Sequence, residues 1–216
     1  MTLADSGGRQ AAEIAALALA DEELIVRRAA VRALGQMRTA DGALAGFEHL
    51  ARFVDAGGDH GLRVAAIHAL GESRDPRAAA VLGPWADASD PQVAVAAVEA
   101  LGHLGDLDAV AQRLQHGHGE VVKAALGALV ERRDSRSVEL AARCLDHPAW
   151  DVRRYAADLL GGLGGASALT RLRARLAEEA EPLVRDALQR ALLGMDSRTA
   201  HQRHTPAPGL GSWPPR

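Results

Sequence analysis

The chain has 216 residues, 25 basic against 28 acidic, a formal net charge of −3, 3% aromatic residues and one cysteine, Cys144. That length buries a sizeable core. The mild negative charge argues against a generic grip on nucleic acid or anionic membrane, and the lone cysteine excludes a disulfide framework or a zinc site of several thiolates. An alanine- and leucine-rich, aromatic-poor chain fills helices, not pleated surfaces.

The first predicted helix spans 9–20. Its end, Ala18-Leu19-Ala20-Asp21, superficially fits a signal-peptidase site, but Glu13 interrupts the apolar run and the segment reads as amphipathic. No stretch approaches the ~20 uninterrupted apolar residues of a membrane span, so the expectation is a soluble cytoplasmic protein without membrane contact. Further first helices of hairpins are predicted at 41–54, 75–86, 106–116, 134–146 and 165–178, with Asp41, Asp75, Asp106 and Asp134 near four of their starts.

The second helices carry a repeat. Val26 to Gly35 returns as Leu62 to Gly71 and as Val93 to Gly102, then at Val121, Val152 and Val184. Its marker leucines are Leu34, Leu70, Leu101, Leu129, Leu160 and Leu192, spaced as helical hairpins of a solenoid are. Ala30, Ala66, Ala97, Ala125, Ala156 and Leu188 form one column, and its five alanines are small enough to let neighbouring helices approach closely. The glycine after the leucine (Gly35, Gly71, Gly102, Gly161) is expected to weaken the helix end and ready a turn; Val130 and Leu193 break that rule. Glu23, Asp59, Asp90 and Glu181 stand where an acid caps a helix or complements its dipole, and His118 and Ala149 replace it. Arg27, Arg63, Arg153 and Arg185 share a column and are expected to bond turn carbonyls or acids of neighbouring repeats. Beyond Leu193 the pattern stops. Pro206, Pro208, Pro214 and Pro215 make 196–216 read as a flexible tail, with Trp213 as its one anchor. The organisation expected is an all-α solenoid of about six hairpins over 1–195, then the tail.

The pattern Asp-Pro-x-Val-x-x-x-Ala-x-x-x-Leu-Gly at Asp90 to Gly102 resembles the HEAT-like repeat named after phycobilisome lyases. The resemblance covers most of the chain and is specific for fold, weak for function. It implies that the second helices line a concave face. Its members include bilin lyase subunits, scaffolds, DNA-alkylation-repair glycosylases and the iron-binding deoxyhypusine hydroxylase.

Three rows would then cross that face. They are Arg28, Val64, Val95, Lys123, Arg154 and Asp186; Arg32, His68, Glu99, Gly127, Asp158 and Arg190; and Gln36, Glu72, His103, Glu131, Gly162 and Gly194. The leading expectation is a non-catalytic scaffold that binds another protein through Arg28, Arg32, Val64, Val95, Trp150, Arg154 and Tyr155, with no cofactor. A second is a bilin-lyase-like chromophore lyase or chaperone subunit with a bilin ligand; near-exclusive use of arginine suggests a GC-rich genome and gives a phycobilisome host no support. A third is a divalent-metal enzyme. His68 and Glu72, like Glu99 and His103, lie four apart on one helix face, and with Glu131 they offer two imidazoles and three carboxylates. The adjacent His-Glu dipeptides of deoxyhypusine hydroxylases are absent. DNA-repair-like binding through Arg153, Arg154, Trp150 and Tyr155 is opposed by Asp158 and Asp186. His116-Gly117-His118-Gly119-Glu120 reads as an exposed turn, Cys144 as a small buried residue and Trp85 as packing on the outer face.

Overall fold

A computed structural model describes the backbone of residues 3–56 and 58–204 and the side chains of 8–56 and 58–197. Among the described residues every regular element is helical apart from one isolated bridge. Six pairs follow one another: α1 (Leu3–Leu17) and α2 (Leu24–Gln36), α3 (Phe47–Ala56) and α4 (His60–Gly71), α5 (Arg77–Leu82) and α6 (Pro91–Leu104), α7 (Leu107–Gln112) and α8 (Gly119–Glu131), α9 (Ser137–Cys144) and α10 (Trp150–Leu163), α11 (Ala166–Glu178) and α12 (Pro182–His204). These are the sequential hairpins of an α-solenoid fold. They group into two compact units, Met1–Ser137 and Val138–Arg216. In unit 1 the second helices pack as α2 on α4, α4 on α6 and α6 on α8; in unit 2 α10 packs on α12.

The repeat leucines explain the stacking. Leu34, Leu70, Leu101, Leu129 and Leu160 are wholly buried, as is each alanine of Ala66, Ala97, Ala125 and Ala156. Each leucine removed from water contributes about 2 kcal/mol. The glycines that follow have a different role from the expected one. Gly35, Gly71, Gly102 and Gly161 lie inside their helices, and a Cβ on them would stand 2.9, 2.6, 2.8 and 2.7 Å from the Cβ of Ala69, Ala100, Ala128 and Ala191 respectively. They exist for close approach to the next hairpin, not for a turn. Val130 takes this position in α8, the last second helix of unit 1.

The turns lie after these glycines. Arg74 and Arg133 adopt φ of 58° and 55°, and Gly105 and Gly164 hold the equivalent places with φ of 86° and 76°. Past them, Asp75 and Asp134 each accept a backbone N–H two residues on and clamp Arg77 and Arg136. Those arginines reach back to Glu48 and Asp108 of the preceding first helix at 2.8 and 2.7 Å. The clamping guanidinium holds each aspartate below the usual carboxylate range.

Asp59 and Asp90 cap α4 and α6 as expected, and Asp106 caps α7. Glu23 makes no side-chain cap. A second device appears instead two residues before the cap position: Asp21, His116, His147 and Glu179 accept the N–H of Glu23, His118, Ala149 and Glu181 at 2.9, 3.1, 3.1 and 2.9 Å. Thus the two histidines take the place of an acid in the repeats where the expected cap is missing.

Several boundaries differ from expectation: α1 begins at Leu3 rather than at 9, and α5, α7 and α9 are shorter than the helices expected over 75–86, 106–116 and 134–146. The helix expected over 41–54 begins at Phe47, because Arg38 and Leu44 form an antiparallel bridge around a turn at Gly42, whose φ is 85°. Helix α12 runs through His204, since no glycine or proline interrupts it between Met195 and that point. The side chains of His201 and His204, and Trp213 altogether, lie outside the described residues. No helix among the described residues is long and apolar enough to cross a membrane.

Candidate functional site

Many of the described arginines hold the hairpins together. Arg27 donates to the carbonyls of Asp21 and Glu22 at 2.7 and 2.8 Å, Arg153 to those of His147 and Pro148 at 3.0 and 2.8 Å, and Arg185 to that of Glu179 at 2.8 Å. Arg63, of the same column, stacks 4.9 Å from the ring centre of Trp85, whose indole N–H reaches Asp55. Trp85 is therefore half-buried under a cation; Arg27, Arg153 and Arg185 bond turn carbonyls as expected, whereas Arg63 stacks on the indole instead.

Unit 1 presents a different surface where its second helices lie side by side. Between α2 and α4 is a hollow of about 430 Å³, lined by Arg28, Val31, Arg32, Gly35, Gln36, Gly61, Leu62, Ala65, His68, Ala69 and Glu72. Between α4 and α6 is another of about 460 Å³, lined by His60, Gly61, Val64, His68, Pro91, Gln92, Val95, Ala96, Glu99 and Glu120. The two share Gly61 and His68, so they adjoin. Arg28 and Arg32 are exposed, one turn apart, and among the described residues neither has a hydrogen-bond or ion-pair partner. Val64 and Val95 are half-buried in the second hollow. At its rim His60 bridges the two helix starts, with Nδ1 2.8 Å from Asp90 and Nε2 2.8 Å from Gln92 Oε1.

In unit 2 the aromatic-basic cluster is split. Arg154 lies 5.9 Å from the ring centre of Trp150, which is 42% exposed, and Tyr155 is half-buried. Arg153 turns away to Glu179, which it engages with two bonds of 2.9 and 3.0 Å. Arg175 and the N–H of Glu181 complete the shell around this buried carboxylate. Direct bonding from Arg153, with the other donors, holds Glu179 down to about 2. Nothing in the sequence pattern alone marked Glu179; its spacing ahead of Pro182 resembles Asp21 ahead of α2. Cys144 is buried as expected, and burial pushes its thiol up to about 11.

The five expected metal ligands are not gathered. His68 lines both hollows, with Glu99 in the α4–α6 one and Glu72 in the α2–α4 one; Glu72 and His103 also line a third hollow at the helix ends with Arg74 and Arg132, and Glu131 lines none of the three. Among the described residues no three of His, Cys, Asp or Glu come together in a group able to hold a metal. The reason is geometric: one helical turn separates residues four apart by ~5–6 Å, while neighbouring axes stand ~8–10 Å apart. Residues on successive helices therefore form rows, not a point.

Models of HEAT repeats match residues 48–126 and 107–193, and a PBS lyase HEAT-like repeat matches residues 26–55. No curated protein matches the chain. Among solved structures, the Escherichia coli YibA protein is 17% identical, covers 88% of this chain and 84% of its own, and has a TM-score of 0.56. A designed armadillo repeat protein in complex with a (KR)4 peptide is 15% identical, covers 84% of this chain and 98% of its own, and has a TM-score of 0.48. The CpcE–CpcF complex of phycocyanin lyase from a Nostoc species is 20% identical, covers 86% of this chain and 94% of its own, and has a TM-score of 0.40. Likeness at such identities concerns the fold alone. The family models span well over half of the sequence and coincide with the hairpins described above: the chain belongs to the HEAT repeat family.

Proposed function

We propose that this chain is a non-catalytic binding scaffold that docks a segment of another protein on the second-helix face of unit 1. The observation that carries this reading is the pair of adjoining hollows of about 430 and 460 Å³, with Val64 and Val95 on the floor and Arg28 and Arg32 at one side. HEAT repeats commonly mediate protein binding. Such a face is built on packed helices, so a partner finds it already formed and little ordering cost opposes binding. Arginine and apolar anchors in hollows are the usual sources of affinity. In unit 2, Trp150, Arg154 and Tyr155 form a further patch proposed for contact.

Selection of a random peptide library on the immobilised full chain tests this. Enriched peptides should lose binding to V64E/V95E and R28E/R32E variants whose melting temperature is unchanged. Failure to enrich any peptide over a bare surface, or binding indifferent to both variants, would overturn the reading.

A further inference from the structure

We propose that the segment taken by unit 1 is an extended peptide with segregated charges: acidic residues over α2, small apolar residues over α4 and basic residues over α6. This rests on the docking reading above and adds the chemistry of the occupant.

Arg27, Arg77, Arg113 and Arg136 of unit 1 are bound to carbonyls or carboxylates. Arg28 and Arg32 are exposed and, among the described residues, without a partner, although they border the α2–α4 hollow. Two guanidinium forks one turn apart match a pair of carboxylates. At the far side of the face the sign reverses. Glu99 is exposed in the α4–α6 hollow and likewise has no partner among the described residues. Between these poles lies Val64 on α4, while Val95 stands beside Glu99 on α6; the exposed Glu72, at the end of α4, also borders the α2–α4 hollow.

The spacing sets the length. Two helix-to-helix steps of ~10 Å separate α2 from α6, and an extended chain rises ~3.3 Å per residue, so about six residues divide the acidic from the basic end. A uniformly acidic chain or a nucleic acid strand meets Glu99 with the wrong sign, and a uniformly basic chain meets Arg28 and Arg32 in the same way. The face therefore discriminates by charge order, not by net charge.

Fluorescence anisotropy with the full chain provides the test. One labelled nine-residue peptide has two aspartates, five small apolar residues and two arginines in that order. Another has the same composition with its charges alternating. The segregated peptide should bind at least tenfold tighter at low salt. The R28E/R32E variant should lose that preference and gain affinity for a peptide with arginines at both ends. Equal affinity for the two peptides, or an unchanged preference in R28E/R32E, would overturn the proposal. Library peptides that depend on Val64 and Val95 but show no charge order would also overturn it while leaving the docking reading in place; a library that yields nothing removes both.

Discussion

The second-helix faces of unit 1 and unit 2 are written in the same repeat grammar, yet they spend their charges in opposite ways. In unit 1, Arg28 and Arg32 point to solvent with no acid four residues away and none opposite on α4 close enough to engage them. In unit 2, Arg190 bonds Asp186 on its own helix at 2.9 Å and Asp158 on α10 at 3.5 Å, Arg153 is taken by Glu179, and Arg154 leans over Trp150. Arginine content therefore says little about a binding surface. What decides is whether an acid occupies the same row one turn away or the neighbouring helix. On its second helices unit 2 engages Arg153, Arg154, Arg185 and Arg190 with neighbouring groups; on those of unit 1, Arg28 and Arg32 have no partner among the described residues.

That contrast can be broken most forcefully at Glu179. Replacing it with alanine strands Arg153, whose side chain is only 12% exposed, and should cost about 3 kcal/mol of stability, as removal of one partner from a buried pair does. Urea denaturation measures this. The pH dependence has a definite sign. Glu179 titrates near 2 in the folded chain and at its ordinary value near 4.5 when unfolded, so its contribution is complete above about 4.5 and is lost as pH falls toward 2. The E179A variant should show a flatter acid limb than the parent; parallel limbs would argue that the pair is not stabilising.

The glycine–alanine contacts come next. Gly71→Ala would normally favour a helix by about 1 kcal/mol. Here the added methyl stands 2.6 Å from Ala100 Cβ and 2.7 Å from its Cα, so the change should instead destabilise by about 2 kcal/mol through overpacking. A rise in melting temperature would refute close approach as the reason for the glycine.

On the open face of unit 1 the expected effect on stability is much smaller. R28E/R32E should stay within about 0.5 kcal/mol of the parent in denaturation, as surface changes without partners do, while losing the preference for the charge-segregated peptide. A large loss of stability would mean that these arginines are structural after all. Smallest is Arg74→Gly. A left-handed arginine costs about 1 kcal/mol, and glycine adopts that geometry freely while losing more chain entropy on folding. A net gain of about 0.5 kcal/mol, seen as a small rise in the urea midpoint, is the expected result.

How far the sequence alone reaches is visible in particular residues. The leucine and alanine columns announced the hairpins, because burial on one helix face imposes a period that survives in one dimension. Asp59 and Asp90 were legible as caps for a similar reason, since a cap acts on its own helix within three residues. Rows such as Arg28–Val64–Val95 could also be listed, because repeats put equivalent positions on equivalent faces. Convergence was another matter. His68, Glu72, Glu99, His103 and Glu131 satisfied the spacing rule on each helix and still do not meet, because distances between helices are set by packing.

The fold class, the hairpin order and the inward stripe were determined by local periodicity, a property each stretch carries by itself. Tertiary structure alone decided that the repeat glycines serve contact with the next hairpin, that His116 and His147 replace acids at two helix starts, and that Glu179 binds Arg153. It also decided that Arg28 and Arg32 have no partner among the described residues. Each of these depends on what stands across a gap of a few ångströms from residues about 30 positions away, and no periodicity within one helix encodes that neighbour.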